Sequence, residues 1–266
     1  MKIASWNVNS IKARLEHVKR WLEKNQPDLL LIQELKGLEF PSDQFEEIGY
    51  KSEAVTQKAY NGVAILSKKK QKVVLDHLPG DKEDEQARYL EIDYPSVLPA
   101  GSRQAKDMRV INIYLPNGNP VSEESEKYPY KLKWMDRLYN RLSELRAEQI
   151  PFLIAGDFNV IPHDDDCHDP KAWDGDALFR QETHQKWRAL LNLGLTDAFR
   201  VLHHDAGHYT FWDYQRGAWP QNKGIRIDHF LLSPALTDRL KSCEIDKELR
   251  GEDKASDHTP IILEIA

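Results

Sequence analysis

The sequence has little of what marks secreted or membrane proteins. Its 266 residues include two cysteines, Cys167 and Cys243, and no apolar segment follows Met1, so a secreted disulfide scaffold is not expected. The longest apolar runs, such as 29–32, are far shorter than the ~20 residues that span a bilayer. These absences favour a reducing, cytoplasmic location and argue against a membrane partner.

An excess of positive charge is also lacking. The chain carries 37 Lys and Arg against 43 Asp and Glu, which gives a formal net charge of −6. A protein of this charge is not expected to bind polyanions over its whole surface. If the partner is a nucleic acid, the contact must be a local patch, and a metal ion can supply part of its positive charge.

Linkers, low-complexity tracts and short repeats are absent, and strand-like and helix-like segments alternate throughout. We therefore expect one domain over 1–266, of class α/β. The pattern predicts a four-layered α/β/β/α sandwich, with two packed mixed sheets and helices outside. The predicted strands are 2–6, 29–33, 62–66, 89–93, 109–114, 151–155, 210–213, 227–232 and 260–265. The predicted helices are one that Ser10 caps, one over about 131–148 and one over 183–191.

Four acids stand at the ends of apolar, strand-like runs. Glu34, Asp157 and Asp228 follow such runs, and Asp257 precedes one. An ionised carboxylate beside an apolar core is costly unless it is paired or bound to a metal. Each acid alone is explained by a helix cap or a solvated loop, but four together favour a shared cation.

Amide side chains accompany these acids. Asn7, Asn9 and Asn159 follow or end strands of the same kind, and His258 adds an imidazole next to Asp257. A site built from oxygen donors suits Mg²⁺, or Mn²⁺, rather than zinc. The same Ser-Asp-His segment is also compatible with a surface turn.

Six short motifs carry a family resemblance. They are SWNVNS from Ser5, QELK from Gln33, YLPNG from Tyr114, GDFN from Gly156, RIDHFLLS from Arg226 and SDHTP from Ser256. In order and spacing the chain resembles the exonuclease III family of abasic-site (AP) endonucleases, within the endonuclease/exonuclease/phosphatase superfamily. The resemblance covers 1–266. GDFN and SDH mark the superfamily, whereas YLPNG and RIDHFLLS indicate its DNA-repair branch.

The resemblance implies roles for individual residues. Glu34 would be the main Mg²⁺ ligand, helped by Asn7 and Asp257. Asp157 would activate or orient the attacking water, and Asp228 would hold the imidazole of His258 toward the scissile phosphate. The implied catalytic residues are Asp157, Asn159, His258, Asp228 and Tyr114.

Further positions are implied to contact DNA. A loop over 214–223 has a large aromatic residue and basic residues that would wedge into or follow a duplex, although Trp219 can equally pack on its own loop. The implied DNA or phosphate contacts are Asn117, Asn9, Arg226, Trp219 and Lys223. The implied wall of a pocket for the flipped-out abasic sugar is Phe211, Trp212, Ile225 and Ile227.

The function expected from this resemblance is Mg²⁺-dependent phosphodiester hydrolysis in DNA repair. The substrate would be double-stranded DNA with abasic sites or 3′ ends, cut by a monomer in the nucleoid-associated cytoplasm. Two alternatives remain: a phosphatase or ribonuclease of the same superfamily, or a catalytically silent nucleic-acid-binding relative. The long stretch 162–180 after GDFN is expected to select which DNA ends fit.

Overall fold

The computed structural model describes residues 1–95 and 107–266. The strands are β1 (Lys2–Asn7), β2 (Leu29–Gln33), β3 (Lys51–Val55), β4 (Val63–Ser67), β5 (Lys72–Leu75), β6 (Tyr89–Tyr94), β7 (Met108–Tyr114), β8 (Phe152–Asp157), β9 (Thr196–Asp197), β10 (Asp228–Leu232), β11 (Leu240–Ile245) and β12 (Ile261–Ile265). The helices are α1 (Ile11–Asn25), α2 (Ser42–Glu46), α3 (Lys127–Ala147), α4 (Gln181–Asn192) and α5 (Pro234–Thr237). Short 3₁₀ helices cover Asp164–Asp166, Pro170–Trp173 and Lys247–Gly251.

The described strands form two six-stranded mixed sheets. The first has the order β11-β12-β1-β2-β4-β3 and the second β5-β6-β7-β8-β10-β9. In each sheet one pair is parallel, β1 with β2 and β7 with β8, and the other pairs are antiparallel. The two sheets therefore share one layout, in which a parallel pair lies at the centre.

Alternating side chains place the sheets between two helical layers. Ile3 of β1 and Leu153 of β8 share one buried cluster, because side chains of alternate parity face the other sheet. On the outer face of the first sheet, Trp6 packs with Trp21 of α1. On the outer face of the second, a separate cluster joins Ile154 to residues of α3 and α4. The predicted α/β/β/α sandwich is confirmed.

Helix α1 shows how local sequence fixes these layers. The Ser10 hydroxyl accepts the backbone N–H of Ala13 at 3.4 Å and caps the helix. Val18 and Leu22 lie on one buried face, four residues apart. Gln26 then takes a left-handed conformation, and the helix ends.

Edge strands account for the differences from the predicted strands. The predicted strand 210–213 is wrong, since Phe211 makes only isolated bridges, with Ile225 and His258. Conversely β3, β5, β9 and β11 were not predicted, because they are short or alternate little between apolar and polar residues.

Within the described ranges, no helix has the length and hydropathy of a membrane span. The single domain over 1–266 stays a prediction.

Candidate active site

The candidate site lies at the edge where strands of both sheets end or begin. In the first sheet, parallel pairing places Asn7 beside Gln33, the residue before Glu34. In the second, antiparallel pairing places the first residue of β10, Asp228, beside the last residue of β8, Asp157. Distant segments of the chain therefore bring their acids to one edge of the sandwich.

Asn7 is the buried link between these acids. Its side-chain nitrogen donates to Glu34 Oε1 at 2.8 Å and to Asp157 Oδ2 at 3.0 Å. Its side-chain oxygen accepts the backbone N–H of Asn9 at 3.0 Å. The Asn7 oxygen has a second lone pair, so its role as a metal ligand stays a prediction. In the structure Asn7 links the two carboxylates.

His258 lies against the acids of the second sheet. Its Nδ1 is 2.8 Å from Asp228 Oδ2, as predicted, and its Nε2 is 3.7 Å from Asp157 Oδ2. Burial alone would lower the pKa of His258, but Asp228 and Asp157 raise it to about 10. The two carboxylates therefore favour the protonated form of His258.

The surroundings of Asp157 raise its pKa. Burial raises the pKa of Asp157, the cation of His258 opposes this rise, and the acids Asp228 and Glu34 add to it. The backbone N–H of Asn159 donates to Asp157 Oδ1 at 2.9 Å. A buried carboxylate of raised pKa is suited to accept a proton from a water molecule.

Glu34 faces the opening of the site, with 14% of its side chain exposed. Burial would raise the pKa of Glu34, but Lys36, 2.7 Å from Oε2, and Asn7 lower it below its ordinary value. Lys36 also donates to the side-chain oxygen of Asn9. The side-chain nitrogen of Asn9 in turn donates to Asp257 Oδ1 at 3.0 Å. Glu34, Asn9 and Asp257 are therefore linked along the rim of the site by the Lys36 ammonium and the Asn9 amide.

Three of these side chains are close enough to share a metal ion. Potential ligand atoms of Glu34, Asp157 and His258 lie within 4.8 Å of one another. The Nδ1 of His258 is already bound to Asp228, so the potential donors are its Nε2 and the carboxylate oxygens of Glu34 and Asp157. Oxygen donors that repel one another in a buried site fit a hard divalent cation.

A polar group beside the acids completes the site. Asn159 donates to the carbonyl of Leu115 at 2.8 Å and accepts from the side chain of Asn117 at 3.0 Å. Burial and the charges of Glu34 and Asp157 raise the pKa of Tyr114 well above its ordinary value. Tyr114 and Asn117 thus present donors next to the acids.

Strained backbone marks the same residues. Glu34, Asn9 and Asn159 adopt left-handed conformations, with φ of 55°, 46° and 48°. Such conformations cluster at functional sites, where the surrounding structure enforces them. In GDFN, a Cβ on Gly156 would lie 2.0 Å from the carbonyl oxygen of Ile113, so β8 passes too close to β7 for any side chain there.

Arg226 does not lie on the DNA side of the site. Its side chain is fully buried, and its guanidinium binds Asp166 at 2.7 Å and Asp197 at 2.9 Å. The prediction of a DNA contact for Arg226 is therefore wrong. Arg226 anchors the 162–180 stretch, through Asp166, to the start of β10.

The large aromatic residue of the loop before β10 packs against the protein. Trp219 packs edge-on against Trp212, with ring centroids 5.0 Å apart, which supports packing on its own loop. Trp212 is as buried as Ile225 and Ile227, and its place in the sugar pocket stays a prediction. Lys223 is exposed.

The other pocket residues lie beside His258. Ile225 and Ile227 are buried in a cluster with Cys167, and Phe211 packs at its edge. The Phe211 ring lies 4.9 Å from the His258 ring. A pocket that receives an abasic sugar stays a prediction, with Phe211 as its accessible wall.

Two residues of the site were missed from the sequence. Lys36, which neutralises Glu34, is the last residue of the QELK motif, so its signal was present. Arg88 stacks on the Tyr114 ring, 4.8 Å from its centroid, and donates to the Tyr114 carbonyl at 3.1 Å. Nothing in the sequence near Arg88 marks it, because the contact depends on the pairing of β6 with β7.

Comparison with known proteins places this geometry in a family. Residues 4–258 match the Endonuclease/Exonuclease/phosphatase family. Exodeoxyribonuclease III of Haemophilus influenzae is 34% identical, with 99% of each chain covered. The chain belongs to this family. Its sequence similarity extends over the full length of an exonuclease III, so it is an enzyme of the exonuclease III and AP endonuclease type.

Solved structures agree with this family assignment. An AP endonuclease from Archaeoglobus fulgidus is 35% identical, with a TM-score of 0.88, and the match covers 100% of this chain and 99% of that one. A 3′ phosphatase from Neisseria, solved with a product DNA hairpin, is also 35% identical, with a TM-score of 0.91 and the same coverage. Nucleases of the family generally use divalent metals, which is consistent with the clustered carboxylates.

Proposed function

We propose that this family member is a Mg²⁺-dependent DNA repair phosphodiesterase. It hydrolyses the phosphodiester 5′ to abasic sites and removes nucleotides or blocking groups from DNA 3′ ends. The observation that carries the proposal is the convergence of Glu34, Asp157, Asp228 and His258 at one edge of the two sheets, where Asn7 links Glu34 to the other three. Relatives named exodeoxyribonuclease III and AP endonuclease support the choice of DNA as substrate.

Each residue of the site has a distinct role in the proposed hydrolysis. Asp157, a buried carboxylate of raised pKa, accepts the proton of the attacking water, and Asn159 fixes its orientation. His258, kept cationic by Asp228, faces a phosphate oxygen and stabilises the charge that develops there. Tyr114, whose raised pKa keeps its hydroxyl protonated, donates to another phosphate oxygen.

Glu34 is the residue that would hold Mg²⁺, with Asp257 and Asn9 on the same rim. A bound Mg²⁺ would neutralise phosphate charge in a protein whose own charge is −6. Mn²⁺ has the same preference for oxygen donors and is expected to substitute. Asn117 and Lys223 are the exposed residues proposed to contact the DNA backbone.

The geometry of the site also bears on the two remaining alternatives. A silent nucleic-acid-binding relative would not need its acids and imidazole within hydrogen-bonding reach, so the geometry argues against it. A phosphatase or ribonuclease would use the same chemistry, and only substrate tests separate it. A monomeric state and a cytoplasmic, nucleoid-associated location are part of the proposal.

The test compares substrates and metals side by side. The chain is incubated with an abasic duplex, a nicked duplex with a 3′-phosphate, RNA and inositol phosphates, each with EDTA, Mg²⁺ or Mn²⁺. We expect product from both DNA substrates, none in EDTA and recovery with Mg²⁺. The Glu34→Gln variant should require far more Mg²⁺, whereas Asp81→Asn, at an exposed acid outside the site, should match the wild type. Turnover of only RNA or inositol phosphates would contradict the proposal.

A further inference from the structure

The candidate site is divided between the two sheets. Glu34 follows β2 in the first sheet, whereas Asp157 ends β8 and Tyr114 ends β7 in the second. The contact between the sheets is mostly apolar, and apolar contact has no directional preference. Burial alone therefore does not fix how far one set of strand ends lies from the other.

A buried polar bridge crosses this apolar layer. Gln33 of β2 donates through Nε2 to Asn112 Oδ1 of β7 at 2.7 Å and to Ser5 Oγ of β1 at 3.1 Å. Asn112 in turn donates to the carbonyls of Ile32 and Ala64, at 2.9 and 2.8 Å. Gln33, Asn112 and Ser5 are each 0% exposed, so these directional bonds join β7 to β2 and β4, and through Gln33 to β1, without competition from water.

The bridge is not the most stable way to fill this space. Among the described residues, Gln33 Oε1 is buried without a hydrogen-bond partner. An unpaired buried polar atom is destabilising, and an apolar pair of the same shape would avoid that cost. Polar groups in an apolar core are best attested as devices that fix register.

The position of the bridge connects it to the site. Gln33 is bonded directly to Glu34. Asn112 lies two residues before Tyr114 on β7 and pairs with Ala155, two residues before Asp157 on β8. The bridge thus joins the sheets within two residues of the acids on each side.

We propose that the Gln33–Asn112 bridge positions the Glu34 half of the site against the Asp157 half. This rests on the proposed function for its kinetic readout. Asn7, itself buried, spans the gap between the two acids, and the bridge joins the strands that carry them. Gln33 and Asn112 are positioning residues, because neither faces the opening.

The experiment replaces both partners with apolar residues of similar size. In Gln33→Met/Asn112→Leu both amides are removed together, so only the Ser5 hydroxyl and the carbonyls of Leu31, Ile32 and Ala64 lose a partner, and the thermal midpoint of unfolding should fall less than in the single variant Asn112→Leu. We expect kcat on the DNA substrates to fall about 100-fold with KM little changed, since small displacements of reacting groups cost rate at about this level. The single variant Asn112→Leu should lose both stability and rate, because Gln33 Nε2 loses the shortest of its hydrogen bonds and keeps only those to Ser5 and the Leu31 carbonyl.

Val110→Ala provides the matched control. Val110 faces the same layer from β7, two residues from Asn112, and its truncation should lower the unfolding midpoint while leaving kcat unchanged. A double variant with wild-type kcat would overturn the proposal. Loss of rate in Val110→Ala equal to that in the double variant would also overturn it, since rate would then follow stability.

A crystal structure of the double variant separates this proposal from the proposed function. If the wild type cleaves none of the DNA substrates, the proposed function fails, and the bridge is judged on geometry alone. We expect Asn7 to lose at least one of its two bonds, to Glu34 or Asp157, in the double variant. Retention of both bonds at unchanged distances would refute the positioning role.

Discussion

Two buried clusters of acids meet at the start of β10, and their charges are balanced differently. The active-site cluster contains Asp157 and Asp228, and the second contains Asp166 and Asp197 around Arg226. Arg226 and Asp228 are two residues apart, so the same chain segment contributes to both. In the Arg226 cluster the charges are paired, whereas the active-site cluster retains unpaired negative charge.

In the Arg226 cluster each acid has an arginine. Burial would raise the pKa of Asp166, but Arg226 and Arg200 lower it below its ordinary value. Burial would also raise the pKa of Asp197, and Arg226 again lowers it. Both carboxylates are therefore stable as anions, and the cluster anchors the 162–180 stretch beneath the site.

In the active-site cluster the acids lack such partners. No arginine binds Asp157 among the hydrogen bonds and ion pairs of the described residues, and its pKa is raised rather than lowered. Asp228 Oδ1 is buried without a partner in the same part of the chain. Unbalanced negative charge beside a cationic His258 is an arrangement that a divalent cation and a phosphate complete.

The largest effect expected from this contrast concerns Asp157. Asp157→Asn removes the proton acceptor, so we expect kcat to fall about a thousandfold or more. The unfolding midpoint should stay or rise, because the variant removes an anion that burial disfavours. Single-turnover cleavage of an abasic duplex, DNA binding and thermal unfolding measure the three quantities. Cleavage near the wild-type rate would show that another group activates the water.

The matched change in the Arg226 cluster should mainly lower stability, whereas Asp157→Asn should mainly lower kcat. Asp166→Asn leaves Arg226 and Arg200 with one carboxylate fewer, and breaking a buried ion pair in this way costs about 3–5 kcal/mol. Urea unfolding should show this loss, whereas the neighbouring exposed acid in Asp165→Asn should show none. An Asp166→Asn variant of wild-type stability would mean that the arginines are satisfied without it.

The two clusters also show what the sequence could predict. Glu34, Asp157 and Asp228 were found because an acid that ends an apolar run is a local pattern. The burial of Arg226 was missed, since its partners Asp166 and Asp197 come from distant segments. The same holds for Asn7, whose residue type predicts an oxygen donor but whose orientation depends on two acids from different sheets. The central strands follow from their apolar runs, whereas edge strands such as β3 have no uniform pattern.

The smallest of these effects is a dependence of stability on pH through His229. Its Nδ1 lies 2.9 Å from Arg226 Nη1 and its Nε2 lies 2.9 Å from the Val160 carbonyl. Burial, with Arg226, lowers the pKa of His229 to about 4, so the neutral ring is the folded form. Between pH 6.5 and 4 the unfolded chain binds more protons than the folded one, and the free energy of unfolding therefore decreases as the pH falls.

His229→Gln tests this through the difference between two pH curves. Glutamine keeps one donor and one acceptor but does not titrate. In the variant, the free energy of unfolding should therefore decrease less as the pH falls, by the amount that His229 contributes in the wild type. That amount is about 3 kcal/mol at pH 4, with no difference in slope above pH 7. Urea unfolding of both proteins from pH 4 to 8 gives the comparison. Parallel curves would show that His229 is not held neutral, and that the Arg226 cluster tolerates a further positive charge.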